Sequence, residues 1–241
     1  MELEGKVALV TGANSGLGRA ISIRLAEKGV VVGLLARTVE TLQEVKDEIA
    51  ASGGKAVSLP ADLGEEEQVA QAVERLAQEA GGLDILVNNA GLGIFKPVAE
   101  MSVEEWDKHI NVMLRGAFLA THHALPHLFE RGRGHVINIS SLWAKRFCAT
   151  CAAYTAAKFG LRGFSESLRE ECRAKNVKVT NLMPGTVNTP FFEKANWETD
   201  LGNALMPEDV AFVVVSALEL PDRAVVEEIV LQSIQPDQCA T

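Results

Sequence analysis

Short apolar runs alternate with amphipathic segments along the whole chain. Val7–Val10, Val30–Leu35, Ala56–Leu59, Ile85–Val87, Val136–Ile139, Val177–Leu182 and Ile229–Leu231 are dominated by Val, Ile, Leu and Ala and are too short for buried helices. Their composition predicts strands buried on both faces. Arg19–Lys28, Val39–Ala51 and Glu65–Glu79 carry apolar residues at helical spacing between these runs. Strands joined by helices form βαβ units, so the pattern predicts an α/β fold with a mainly parallel, seven-stranded sheet and helices on both faces. Pro207-Glu208-Asp209 fits the first turn of a late helix, with proline at the first helical position and acids at the positive end of the dipole. Ligands of such sheets bind beyond the carboxyl ends of the strands, so chemistry is expected just after each apolar run.

No repeat, low-complexity tract or Pro/Gly/Ser-rich linker divides the 241 residues, and the expectation is one domain over 1–241. The net charge of −9 argues against nucleic-acid or anionic-membrane partners, which need a positive field. A small-molecule partner suits it better. The longest apolar stretches, 30–36 and 211–218, fall short of a membrane span, and the first residues lack the basic start of a secretory leader. The four cysteines, Cys148, Cys151, Cys172 and Cys239, are unevenly spaced. A reducing, cytoplasmic location is the expectation.

The first run ends in Thr11-Gly12-Ala13-Asn14-Ser15-Gly16-Leu17-Gly18, directly before a helix. Glycines there let the backbone turn tightly and approach a pyrophosphate, whose charge lies at the helix N-terminus. Five further segments follow in order: Asn88-Asn89-Ala90-Gly91 after the fourth run, Asn111 opening Asn-Val-Met-Leu-Arg-Gly, Ser140-Ser141 after the fifth, Tyr154-Thr-Ala-Ala-Lys158, and Pro184-Gly185-Thr186-Val187-Asn188-Thr189 after the sixth. With the glycine loop, these segments resemble the compact, single-domain Rossmann form of the short-chain dehydrogenase/reductase family. The resemblance covers essentially the whole chain and implies an enzyme that moves hydride between a nicotinamide cofactor and an alcohol or carbonyl.

Carbonyl reduction needs hydride at carbon and a proton at oxygen. Tyr154 is the only tyrosine. Its ordinary pKa, about 10, makes it a reluctant catalyst unless a cation favours the phenolate. Lys158, four residues on, projects from the same helical face and is expected to lower that pKa. By resemblance Ser141, thirteen residues before Tyr154, orients the substrate oxygen, Lys158 also anchors the nicotinamide ribose, and Asn111 positions a water in a proton relay. The resemblance further assigns Gly12, Asn14, Ser15, Gly16, Leu17 and Gly18 to the pyrophosphate cradle, and Asp62 and Leu63 to the adenine. It assigns Asn88, Ala90 and Gly91 to the adenosine side, and Pro184, Gly185, Val187 and Thr189 to the nicotinamide. Asp62 also suits a helix cap before Glu65.

The second run ends Ala36-Arg37-Thr38. NAD-preferring relatives carry an aspartate where this chain has Ala36, and Arg37 can instead pair with a 2′-phosphate through its planar fork. NADP(H) is therefore the expected cofactor. The C-terminal stretch from Val226 lacks the Gly-Gly of oxoacyl-carrier-protein reductases. The chain looks more like relatives that act on short 3-oxo or 3-hydroxy acids, ketones and aldehydes. Carrier-protein reduction and a non-catalytic NADP(H) sensor are the alternatives.

Several features stand apart from this reading. Cys148-Ala-Thr-Cys151 is read as two buried or pocket-lining thiols, since zinc needs more ligands than this pair supplies. His123 and His127 are interrupted by Pro126, and no metal site is expected. Lys145-Arg146 either receives a carboxylate or phosphate on the substrate or forms an exposed loop or subunit contact. Trp143, Phe147, Phe191, Phe192 and Trp197 can wall a pocket, and residues 191–205 are expected to form a substrate lid. Family members assemble as tetramers, so a homotetramer or homodimer is expected.

Overall fold

The computed structural model describes residues 1–235; Cys239 lies outside them. Seven strands form one sheet: β1 (Val7–Thr11), β2 (Val31–Ala36), β3 (Lys55–Pro60), β4 (Ile85–Asn88), β5 (Gly134–Ile139), β6 (Val177–Pro184) and β7 (Glu228–Leu231). Eight α-helices intervene: α1 (Gly16–Glu27), α2 (Val39–Ala51), α3 (Glu66–Ala80), α4 (Val103–His109), α5 (Gly116–Glu130), α6 (Ala152–Arg173), α7 (Phe191–Lys194) and α8 (Pro207–Glu219). The strand order is β3-β2-β1-β4-β5-β6-β7. Every pairing is parallel. The result is the doubly wound Rossmann-type α/β fold.

Alternation along each strand divides the core. Ala8 and Val10 on β1 and Val32 and Leu34 on β2 point to one face, against Ile21, Leu25, Leu42, Val45, Val210 and Val214 of α1, α2 and α8. Val7, Leu9 and Leu35 point to the other, against Val69 and Leu76 of α3, Leu119 and Leu128 of α5, and Leu168 of α6. Each side chain of this size contributes about 1.5–3 kcal/mol when buried, so neither face can be left uncovered. The expectation of strands buried on both faces fails at the two edges. β3 and β7 each have one long side open and carry exposed or half-buried residues.

Helix ends also depart from the pattern. α1 starts at Gly16, inside the glycine loop. α5 runs through Pro126 without stopping. His123 and His127 therefore share a face, where they meet Glu66 at 4.0 Å and Glu74 at 3.4 Å on α3. Asp62 does not cap α3, whose preceding residue is Glu65; its carboxylate accepts from the Gly64 N–H at 2.8 Å and closes the turn before it. Between α4 and α5 the chain widens into a π-helical stretch, Ile110–Arg115. No helix among the described residues is long and apolar enough to cross a membrane.

Candidate active site

The strand order reverses between β1 and β4, and the crevice at their carboxyl ends is where such folds bind ligands. A cleft of about 1130 Å³ opens there and extends across the ends of β5 and β6. Every residue expected at the cofactor or the chemistry lines it except Gly18, Asn88 and Asn111.

Its first half is built from backbone. Gly12 turns with φ +65°, and its N–H is held by the Leu35 carbonyl at 2.8 Å. Thr11 Oγ1 accepts from the N–H groups of Asn89 and Ala90 at 3.0 and 3.1 Å, drawing the loop after β4 against the loop after β1. A Cβ on Gly18 would stand 2.1 Å from the Gly12 carbonyl oxygen, so helix and loop meet there at a distance only glycine permits. Gly18 is thus a packing residue under the cradle. Asn88 is similarly reassigned: its amide is buried behind the loop and donates to Thr121 and Asn138 at 3.0 and 2.8 Å. The next residue, Asn89, lines the cleft instead and donates to the Thr11 carbonyl at 2.9 Å. The sequence signal for this exchange was present in the strand alternation, which turns neighbouring asparagines to opposite sides.

Ser15 precedes α1 without a capping bond from its side chain, so the first N–H groups of a twelve-residue helix face the cleft uncapped by it. Arg37 stands at the end of β2 with its side chain 77% exposed and only a 4.0 Å approach to Asp62. The donor set of this half, amides uncapped by Ser15 plus an exposed guanidinium beside Ala36, fits a phosphorylated dinucleotide.

The second half is built from side chains. β5 leads to Ser141, whose hydroxyl accepts from the Trp143 N–H at 3.2 Å. The first turns of α6 bring up Tyr154, hydrogen-bonded to Ser141, and Lys158, with Nζ 5.7 Å from the Tyr154 ring centroid. Lys158 Nζ donates to the Ile139 carbonyl at 2.9 Å. The expected depression of the phenol is absent. Burial pushes Tyr154 up to about 12, while the Ser141 hydrogen bond pulls it weakly down. Burial also pushes Lys158 down to about 8. Burial disfavours the charged form of both groups, and the Lys158 ammonium is aimed at the Ile139 carbonyl. Asn111 does not line the cleft; it lies in the π-helical stretch packed against α6, and its carbonyl accepts the Gly116 N–H across the five-residue turn. Such bulges recur at functional sites.

Aromatic rings close the far wall. Phe95 sits among Trp143, Tyr154, Phe191 and Trp197, with centroids 4.7–6.3 Å away. Its loop is pinned by the Ile94 N–H donating to His109 Nε2 at 3.1 Å and the Lys96 N–H donating to the Thr150 carbonyl at 2.9 Å. Because His109 Nε2 accepts, Nδ1 carries the proton and donates to the Glu105 carbonyl at 2.8 Å. Sequence reasoning missed Phe95, since its Gly-rich loop has no period to read.

Cys148 and Cys151 are joined in a disulfide, with Cα atoms 5.7 Å apart, rather than standing as two thiols. The short spacing lets the loop fold back on itself just before α6. Lys145 and Arg146 both line the cleft but differ in partner: Lys145 pairs with Glu228 at 2.7 Å, whereas Arg146 has no ion pair among the described residues. Residues 191–205, expected as a lid, carry α7, and Leu205 bridges to Val187. Among the described residues no cluster of His, Cys, Asp or Glu is suited to a metal.

A sequence profile of the short chain dehydrogenase family matches residues 6–200. An uncharacterised oxidoreductase of Staphylococcus aureus is 35% identical over 232 residues, which is 96% of this chain and 99% of that protein. A metagenomic short-chain oxidoreductase, solved in complex with NADP, is 37% identical with a TM-score of 0.86, covering 98% of this chain and 100% of that one. An alcohol dehydrogenase from the archaeon Thermococcus sibiricus, solved with 5-hydroxy-NADP, is 30% identical with a TM-score of 0.89, covering 96% of this chain and 99% of that one.

Proposed function

Since the chain belongs to the short-chain dehydrogenase/reductase family, we propose that it is an NADP(H)-dependent oxidoreductase interconverting a secondary alcohol and a carbonyl. The observation that carries this reading is the convergence of Ser141, Tyr154 and Lys158 in one cleft with the N-terminus of α1 and Arg37. The NADP-bound relatives support the choice of cofactor.

Gly12 through Leu17 and the start of α1 would hold the pyrophosphate. Arg37 and Thr38 would take the 2′-phosphate, Asp62, Leu63, Ala90 and Gly91 the adenosine, and Pro184, Gly185, Val187 and Thr189 the nicotinamide. When bound, the cofactor supplies or accepts the hydride. Ser141 and Tyr154 together donate hydrogen bonds to the substrate oxygen, an arrangement that stabilises charge as it develops there. A phenol pushed up to about 12 keeps its proton near neutral pH, the form that carbonyl reduction consumes. The Lys158 ammonium stabilises the phenolate left behind, and Asn111 is assigned the reprotonation relay.

The substrate class we propose is a short 3-oxo or 3-hydroxy acid, ketone or aldehyde. Exposed Phe118 on α5 and Phe159 on α6 support assembly through those helices, and a cytoplasmic homo-oligomer completes the proposal. The test is oxidation of NADPH, with NADH in parallel, against oxo acids, oxoacyl thioesters, ketones and aldehydes. Turnover of one class with NADPH preferred is the expected result. NADPH binding without turnover of any class would overturn it.

A further inference from the structure

The charge of the cleft is opposite to that of the chain. The whole sequence carries a net charge of −9. Among the described residues that line the cleft, Asp62 is the one acid, against six bases. Three of the six are engaged: Arg37 beside Asp62, Lys158 on the Ile139 carbonyl and Lys145 on Glu228. The other three, Lys108, Arg146 and Lys194, have no ion pair and no side-chain hydrogen bond among the described residues.

These three come from separate elements. Lys108 lies in the last turn of α4, three residues before Asn111, Arg146 lies five residues past Ser141, and Lys194 ends α7 five residues past Thr189. Each is therefore carried by a segment next to one proposed for the chemistry or the nicotinamide. The wall beside them is apolar, formed by Trp143, Phe191 and Trp197. Low-dielectric walls strengthen and focus the field of the cations. Aromatic rings alone would also suit a quaternary ammonium. The charges decide against that ligand, because three cations without an ion pair repel it and, among the described residues, no carboxylate lines this half of the cleft.

We propose that the substrate is an anion: a carbonyl or alcohol compound bearing a carboxylate or phosphate, received by Arg146 with Lys194 and Lys108 at the cleft mouth. This deepens the reading of the same site as a carbonyl/alcohol oxidoreductase and rests on it. Arg146 is the principal anchor, since its planar fork takes either anion through two parallel hydrogen bonds. Lys194 and Lys108 act as point charges that raise the local concentration of substrate. The apolar spacer between the anion and the reacting carbon lies against the rings.

The test uses matched pairs with NADPH: 3-oxobutanoate against its methyl ester, and dihydroxyacetone phosphate against dihydroxyacetone. The anionic member is expected to show at least about tenfold higher kcat/KM in one pair, an advantage that shrinks as ionic strength rises. The pair that shows it tells carboxylate from phosphate. Arg146→Gln should cut the preference about tenfold towards parity, and Lys194→Gln should cut it less. Parity in the native enzyme, or a preference that survives both substitutions, overturns the proposal. Quenching of Trp143 and Trp197 fluorescence by butanoate against butanamide, in the NADP-loaded protein, separates the two readings. Turnover of neutral carbonyls without anion preference sinks the anion site and leaves the reaction class standing. Butanoate binding lost in Arg146→Gln, with no carbonyl reduced, supports the anion site and sinks the reaction class.

Discussion

The two halves of the cleft are made of different material. The cofactor half is backbone: the turn at Gly12, the close approach at Gly18 and the amides that open α1. The substrate half is side chain: the rings of Trp143, Tyr154, Phe191 and Trp197 and three cations without an ion pair, carried on helix ends and the loops beside them. A few bonds hold those loops, among them Ile94 to His109, Lys96 to Thr150 and the Cys148–Cys151 disulfide. A backbone cradle recognises a group common to many ligands and is welded into the core. A wall of side chains recognises what differs between ligands and can change without disturbing the sheet. Substitutions in the first half should therefore cost stability and cofactor affinity together, and those in the second should change turnover or selectivity alone.

Gly18→Ala is the most severe break of the first half. Its Cβ would collide with the Gly12 carbonyl and the Asn89 amide, forcing loop and helix apart. We expect a loss of about 3 kcal/mol in unfolding free energy and at least about tenfold weaker NADPH binding. Urea denaturation and fluorescence titration read both; normal values in each would show that the contact is not a constraint.

A pH series probes the junction of the halves. Lys158 is lowered from 10.5 to about 8, so between those values the unfolded chain binds more protons than the folded one. Stability contributed by this group therefore rises with pH across that window, by about 3 kcal/mol in all. Tyr154 works the other way above pH 10, where the unfolded phenol ionises and the folded one, pushed up to about 12, does not. Wild type should gain on Lys158→Met between about pH 8 and 10; parallel stability curves would refute the burial effect.

Arg37→Asp should shift the NADPH-to-NADH preference by about ten- to a hundredfold, roughly 1.4–2.8 kcal/mol, through loss of the proposed 2′-phosphate contact. An unaltered ratio of KM values would remove Arg37 from cofactor selection. The smallest effect belongs to the disulfide. A dithiol reductant would cleave the bond into two thiols and itself become a disulfide. Closing so short a loop is worth at most about 2 kcal/mol, so the carbonyl KM should rise a few-fold while NADPH affinity holds. Such a bond is uncommon in a reducing compartment, and a thiol count on freshly purified protein would show which state it occupies.

The difference in material also explains what could be read beforehand. α2 lies at Val39–Ala51 as its period predicts, and the seven apolar runs are the seven strands. The glycine loop was legible because backbone geometry demands glycine at set spacing. Boundaries failed where tertiary contacts override local preference, as at Gly16, which opens α1, and Pro126, which α5 accommodates. Asn88 and Asn89 exchanged places because a motif does not say which of two like residues faces inward. Phe95 and the disulfide were out of reach, since loop side chains meet through three-dimensional packing rather than period. Lys145 and Arg146 were adjacent in sequence, and only Glu228 on β7 separates their roles.

We propose that Tyr154 serves the chemistry of one half while the other half holds the cofactor. Tyr154→Phe keeps the ring and deletes only the hydroxyl. NADPH affinity by fluorescence titration and steady-state reduction of the best carbonyl substrate should be measured on the same preparation. Affinity within about twofold of wild type and kcat lowered by about 10²–10⁴-fold are expected. A variant that retains most of its turnover would contradict it.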